Sequence, residues 1–327
     1  MIITRTPFRV SFCGGGTDLR SYYQHEVGAV VSATINKYIY ITVNRLTRYF
    51  EHAISLKYSQ TELVNSVEEV RHPIIREALK LTGVMDRVEI ASMADIPSGT
   101  GLGSSSAYAV SLLHALHTFK GEAVSAKKLA EEACNIEIET LKDPIGKQDQ
   151  FIAAYGGICH IRFNPDENVF VDPVICPLET KKALQNNLMI FYTGITRRAG
   201  DILEVQKAET VKKLEVLRAM KDLCADLIET LRTSRSLNDF GEILHQGWLL
   251  KKSLVQEISN DTINDYYEKA RSAGAIGGKL LGAGGGGFLL FYVEPQNQNS
   301  VRQALSTLPE LPFQFEPQGS KVIYISD

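Results

Sequence analysis

The stretch ADIPSGTGLGSSSAYAV, residues 94–110, places Gly99, Gly101 and Gly103 within five positions and sets Ser104, Ser105 and Ser106 directly before an apolar run. Upstream, RVEIASMA reads as a strand; downstream, AYAVSLLHALHTF has helical spacing. A glycine-rich loop between a strand and a helix start gathers free backbone N–H groups and the positive end of the helix dipole in one small volume, which suits a phosphate. Glycine lets the backbone come close to a ligand and take positive φ angles. Serine hydroxyls at such a place can cap N–H groups, contact phosphate or ligate Mg²⁺. A plain tight turn with a capping serine is the competing reading.

Known phosphate loops narrow the choice. A Walker loop needs GxxxxGK followed by Ser or Thr, and no segment supplies it: Gly278-Lys279 is followed by Leu280, with Ala273 in the first glycine's place. The dinucleotide fingerprint fails at the first loop, where Ser104 replaces the third glycine. It matches by letter at Gly282, Gly284 and Gly287, but FLLFYVE after it reads as a strand where a helix is required. Asp239-Phe240-Gly241 spells a protein-kinase motif without its companions, and is a coincidence.

Two more glycine clusters stand at the chain's ends. In TPFRVSFCGGGTDLRSYY a strand runs into Gly14, Gly15 and Gly16, then Thr17 and Asp18, a turn that presents a carboxylate and a hydroxyl suited to a polyol; Asp18 as a helix cap is the alternative. Arg9 in an otherwise apolar strand must be paired, most simply with a carboxylate. GAGGGGF at 282–288 lies between two apolar strands, and reads either as a bulge or as backbone that must approach another loop or a ligand.

The rest of the chain sets bounds. Its 327 residues, 44% hydrophobic and 22% charged, suit one large domain or two sharing an interface, and two is the expectation. A net charge of -3 offers no basic surface for nucleic acid or an anionic membrane. Five cysteines without CxxC spacing argue against a disulfide framework or zinc site and read as reduced, cytoplasmic thiols. No run reaches the roughly 18 apolar residues of a membrane span, and the start lacks a secretory signature. The histidines, His114 and His117 included, show no trusted metal spacing. Strands cluster rather than alternate with helices, which gives an α+β class, with SAKKLAEEACNIEIETLK as one helix and a domain boundary in the polar stretch near 180–186.

Taken in order, the clusters resemble the three motifs of the GHMP kinases, the superfamily of galactokinase, homoserine kinase, mevalonate kinase and phosphomevalonate kinase: Pro7 to Asp18, PxxxGLGSS in Pro97 to Ala107, and Lys279 to Phe288. Within it, FRVSFCGGGTDL, IGKQDQFIAAYGG, YTGITRRAGDIL and GGKLLGAGGGGFLLF look like the D-glycero-D-manno-heptose 7-phosphate kinases; galactokinases carry Glu-His where Gly15-Gly16 stands here. The resemblance implies a two-domain fold with the active site between an N-terminal ribosomal-protein-S5-like domain (1–185) and a C-terminal ferredoxin-like α+β domain (186–327). It implies ATP- and Mg²⁺-dependent phosphorylation of the anomeric hydroxyl of heptose 7-phosphate, in nucleotide-activated heptose synthesis for surface polysaccharide, by a cytoplasmic monomer or homodimer. A kinase for free fucose or galactose and a catalytically silent nucleotide-binding regulator are the rivals.

The resemblance also implies roles. Pro97, Ser98, Gly99, Thr100, Gly101, Leu102, Gly103, Ser104, Ser105 and Ser106 would wrap the triphosphate, with Ser105 and Glu137 (or else Glu139) on Mg²⁺. Asp149 of IGKQDQ would face the acceptor hydroxyl as base or orienter, paired with Arg9, since a neighbouring cation favours an ionised carboxylate; Lys147 could reach the same space. Gly15, Gly16, Thr17, Asp18, Gly284 and Gly285 would hold the sugar, and Arg197 and Arg198, with guanidinium groups suited to bidentate binding, its phosphate. Lys251 and Lys252 are weaker candidates, of which only one can share a helix face with the site.

Overall fold

The computed structural model describes residues 1–196, 199–233 and 236–326. In chain order the strands are β1 (Ile2–Cys13), β2 (Gly28–Arg45), β3 (Ile54–Lys57), β4 (Thr61–Val64), β5 (Val88–Ala94), β6 (Ile158–Phe163), β7 (Val169–Pro173), β8 (Leu188–Tyr192), β9 (Ala275–Leu280), β10 (Phe288–Val293) and β11 (Lys321–Ile325). The first sheet runs β11-β1-β2-β5-β3-β4, with β6 on β2 and β7 on β6; the second runs β8-β10-β9. Apart from the parallel β3–β5 pair, neighbours are antiparallel. An isolated bridge from Phe191 to Glu310 extends the second sheet at its edge.

β1 and β2 form the spine because both are rich in β-branched and aromatic residues. A register shift between Pro7 and Phe8 accommodates the proline's missing donor, and a second follows Ser11. Against this pair packs the helix Ser104–Phe119, whose Ala107, Ala109, Val110, Leu112, Leu113 and Leu116 are all fully buried. A helix buried along most of its length belongs inside, and its N-terminal serines, of which Ser105 is exposed, open into a cleft.

Three elements differ from the sequence expectation. The polar stretch expected to hold the domain boundary is a helix, Leu178–Asn187, anchored by the fully buried Leu184. β3 and β4 form an unexpected hairpin. The expected long helix stops at Cys134 and continues as a π-helical turn, Asn135–Thr140, which rotates the following side chains relative to an α-helical path. The chain's last strand, β11, returns from the second half to pair with β1. No described helix is long and apolar enough to cross a membrane.

Candidate active site

The carboxyl end of β1, the start of the central helix and the glycine turn before β10 meet around a cavity of about 310 Å³. Gly99, Gly101, Gly103 and Ser104 to Ser106 line one side of it, and Gly15, Gly16 and Asp18 line another. Gly282, Ala283, Gly284 and Gly286 close a third. Gly103, at φ 74°, is the residue before the helix, and no side chain caps that helix start. Its first N–H groups are thus left for something else to satisfy. Thr100 and Leu102 are buried behind the loop, Thr100 donating to the Pro97 carbonyl at 2.9 Å, while Pro97 and Ser98 are exposed.

The third glycine cluster approaches the first loop closely. A Cβ on Gly101 (φ 86°) would lie 2.5 Å from the Leu281 carbonyl oxygen, and one on Gly282 2.5 Å from the Gly101 Cα. The two loops thus form one wall, which leaves no room for side chains. Gly284 reaches the cavity; Gly285 instead donates its N–H to the Ile258 carbonyl, 2.9 Å away.

On the cavity wall, Arg9 grips Asp149 with both Nε and Nη2 at 2.7 Å and donates Nη1 to the Gly101 carbonyl at 2.6 Å. The arginine is 4% exposed and the aspartate more open, so the carboxylate faces the cavity from a fixed position. Asp149 lies in the first turn of the helix Gln148–Tyr155. Asp18, buried, accepts from Gly16 N at 2.9 Å and from Gln148 N at 3.3 Å, so it ties the first glycine turn to the start of the helix that carries Asp149. Burial first, and then the charge of Asp149, raises its pKa. Thr17 is used differently: its hydroxyl bonds the Gly14 carbonyl within the turn and the Ala29 carbonyl on β2, and the residue does not line the cavity.

Ser105 donates to Glu137 at 2.6 Å and Gln150 to the other carboxylate oxygen at 2.7 Å. Glu137 is fully buried, and burial pushes its pKa up to about 7 against the hydrogen bonds of Ser105, Ser106 and Gln150. The π-helical turn aims Glu137 inward and leaves Glu139 at the surface on Arg20, 3.2 Å away. A buried carboxylate touching a hydroxyl beside an uncapped helix start is a donor set that fits Mg²⁺, which takes one or two protein oxygens and leaves the rest to phosphate and water. Among the described residues there is no cluster of three or more His, Cys, Asp or Glu that would form an all-protein metal cage.

Lys147 turns away from this centre, its ammonium pairing with Glu167 and lying 4.9 Å from the centre of the Tyr23 ring. Arg197 and Arg198 lie outside the described residues. Three groups on the cavity wall had little or no sequence signal. Ser11, two residues from Arg9 on the same face of β1, is buried with its hydroxyl unpartnered among the described residues. Lys251 donates to the Gly282 carbonyl, and Lys279 to the Phe12 carbonyl at 3.1 Å; both are 6% exposed. Burial lowers Lys251 to about 7 and Lys279 to about 8. The period of two along β1 is the signal that would have found Ser11.

Residues 50–157 match the family profile described as GHMP kinases N terminal domain, and 219–310 match GHMP kinases C terminal. Over 321 residues, 93% of each chain, the sequence is 30% identical to the D-glycero-alpha-D-manno-heptose 7-phosphate kinase of Campylobacter jejuni. The chain belongs to the GHMP kinases. This GHMP kinase is also 26% identical to the L-fucokinase/L-fucose-1-P guanylyltransferase of Bacteroides fragilis, over 92% of its own length and 36% of that protein's. Its fold matches a crystal structure of a D-glycero-D-manno-heptose 1-phosphate kinase from Bacteroides thetaiotaomicron with TM-score 0.83 over the whole of both chains, at 24% identity. As a GHMP kinase the chain is an ATP-dependent phosphotransferase, and its cavity walls correspond to the three motifs by which the sequence resembles the family.

Proposed function

We propose that this GHMP kinase transfers the γ-phosphoryl group of ATP to the anomeric hydroxyl of D-glycero-α-D-manno-heptose 7-phosphate, giving the 1,7-bisphosphate, in the making of nucleotide-activated heptose for surface polysaccharide. The observation that carries the reading is the Arg9–Asp149 pair, fixed on the wall of a cavity that is also lined by an uncapped helix start and by the polar turn of Gly15, Gly16 and Asp18. The 30% identity with a heptose 7-phosphate kinase directs the choice of acceptor.

In this reading the N–H groups from Gly99 to Ser106 hold the triphosphate, and Ser105 and Glu137 hold Mg²⁺. Bound there, Mg²⁺ supplies charge neutralisation at the phosphate oxygens. Asp149 receives the hydrogen of the acceptor hydroxyl. The hydroxyl oxygen forms its bond to the γ-phosphorus as the bond to the β,γ-bridging oxygen breaks; the proton goes to Asp149 and ADP leaves with the electron pair. Whether the proton crosses early or late, Asp149 occupies the same place, because a loose transition state needs orientation more than deprotonation. Arg9, spent on Asp149 and Gly101, is a positioning residue here. Gly15, Gly16, Asp18 and Gly284 meet the sugar hydroxyls. Arg197 and Arg198 are assigned to the acceptor phosphate on sequence grounds alone.

A second reading, phosphorylation of a free sugar, draws on the 26% identity with a fucokinase. ADP release measured over heptose 7-phosphate, free heptose, fucose and galactose separates the two. Turnover is expected with heptose 7-phosphate and should fall about 10²- to 10⁴-fold in Asp149→Asn with ATP binding retained. Robust turnover of a free hexose with none on heptose 7-phosphate overturns the assignment, and an unimpaired Asp149→Asn removes that residue from its role.

A further inference from the structure

The helix Asn238–Lys252 buries Phe240, Leu244 and Trp248, and in its last turn it delivers Lys251 to the cavity. Its neighbour Lys252 turns the other way, 5.6 Å from the centre of the Trp248 ring and 3.4 Å from Asn264. Lys251 therefore occupies the inner face by helix geometry, with its ammonium on the carbonyl of Gly282, in the glycine wall that packs against Gly101. The charged groups around it are Lys279 and Arg9, which repel it, and Asp18 and Asp149, which attract it. Among the described residues none of these carboxylates comes within ion-pair distance of it, and Lys279 is no better paired.

The cations on the cavity wall, Arg9, Lys251 and Lys279, are matched in number by Asp18, Asp143 and Asp149, but among the described residues only Arg9 forms an ion pair with one of them. Arg9 and Asp149 cancel each other in a bidentate pair. Lys251 and Lys279 donate to carbonyl oxygens, while Asp18 is taken up by the N–H groups of Gly16 and Gln148, and a buried ammonium without a carboxylate partner is costly enough that a fold retains it only when something compensates. Lys251 lines the same cavity as Asp149, the carboxylate assigned to the acceptor hydroxyl, and its ammonium lies on the glycine wall that packs against the phosphate loop. We propose that Lys251 is a further catalytic residue, whose ammonium binds the terminal phosphoryl group of the nucleotide during its transfer to the acceptor. The proposal rests on reading the cavity as a phosphoryl-transfer site but not on which sugar accepts.

This ammonium is held near neutrality by burial, and a dianion beside it restores the proton, so binding of a nucleoside triphosphate takes up a proton at Lys251. Before nucleotide binds, the facing cations Arg9 and Lys279 oppose the proton; Asp18 and Asp149 favour it too weakly to prevail. The same geometry predicts that kcat/KM falls as pH rises above about 7, because the free enzyme then loses the charge.

The test is calorimetry on the full chain with Mg²⁺ at pH 8, in two buffers of different ionisation enthalpy, with AMP-PNP and ADP as probes and the wild type, Lys251→Met and Lys251→Arg as proteins. The wild type should take up a substantial fraction of a proton with AMP-PNP beyond that seen in Lys251→Met; the ligand's own ionisation cancels in that comparison. ADP, lacking the terminal group, should show no such difference. In turnover, Lys251→Met should lose about 100-fold in kcat with under threefold change in acceptor KM. Lys251→Arg, charged throughout, should recover part of kcat without the proton signal, and it keeps the test decisive should the methionine variant fold poorly. Equal proton uptake in wild type and Lys251→Met, or kcat within threefold of wild type, overturns the proposal. Uptake on adding heptose 7-phosphate alone, and none with AMP-PNP, also overturns it and moves Lys251 to the acceptor's anion. Failure of heptose 7-phosphate as substrate leaves the nucleotide result standing, whereas failure to bind AMP-PNP at all sinks both readings.

Discussion

Glu137 is a carboxylate kept where a folded chain would rather have none. Its pKa, raised to about 7 chiefly by burial and secondarily by Asp149, exceeds the unfolded value, so the folded state binds its proton more tightly. The stabilising contribution of that proton is full below about pH 4.5 and is lost as pH rises through about 7. A displacement of this size corresponds to roughly 3 kcal/mol. Glu137→Gln, which keeps the bond from Ser105 and does not titrate, should therefore be more stable than wild type at pH 8 when metal and nucleotide are removed with chelator. The gap should shrink towards pH 5. Gln150 can turn its amide to meet the new side chain, since its Oε1 has no partner among the described residues. Urea unfolding at pH 5, 6, 7 and 8 reads the effect, and a gap independent of pH would mean that Glu137 is not the titrating group. Single residues of this kind were unevenly legible in the sequence. Arg9 announced itself, because a charge in an apolar strand needs a partner, whereas Glu137 came from the family resemblance, with Glu139 as the alternative. Lys251 was one of two neighbouring lysines, with no way to know which faced inward until the helix was packed.

At the scale of elements, the glycine-rich loops work as a pair. Gly101 takes φ 86° and would place a Cβ 2.5 Å from the Leu281 carbonyl, so Gly101→Ala meets both backbone strain and a backbone clash. Such strain costs about 1–2 kcal/mol before the clash is counted. The variant should lose about 2 kcal/mol or more in urea unfolding and show a raised KM for ATP. Stability equal to wild type would mean that the loops part without cost. The sequence carried the alternative of mutual approach for GAGGGGF but could not name the loop it meets, because that contact joins residues nearly two hundred positions apart. Short elements escaped for a related reason: β3 and β4 have four residues each, too few for a period to register, and they gain their edges from β5. The turn over Asn135–Thr140 could not be foreseen, since its residues fit an ordinary helix and only the tertiary position of Glu137 sets the π-helical path apart. The long, strongly patterned elements, β1, β2 and the helix Ser104–Phe119, were readable because burial and periodicity agree in them.

The whole molecule is less divisible than a boundary near residue 185 suggests. One hydrophobic cluster takes in Phe12 and Val31 of the first sheet, Leu223, Leu227 and Leu231 of the helix Leu214–Thr233, Phe240 and Leu244 of the next helix, and Leu290 of the second sheet. The rings of Phe12 and Phe240 meet edge to face, their centres 5.1 Å apart. The return of β11 to β1 pins the far end of the chain to the first sheet, and Ser320 beside it donates its N–H to the Ala153 carbonyl at 2.9 Å, on the helix that carries Asp149. Neither half can unfold without exposing apolar surface of the other, so heating the ligand-free protein should give a single calorimetric transition whose van't Hoff and calorimetric enthalpies agree. A ligand bridging the halves should then move that transition as a unit. AMP-PNP at about 100 times its Kd adds about 2.7 kcal/mol to the whole chain, with no second peak appearing. Two resolved transitions, of which AMP-PNP shifts one alone, would mean that the nucleotide is held by one half and that the shared core carries little of the cohesion assigned to it.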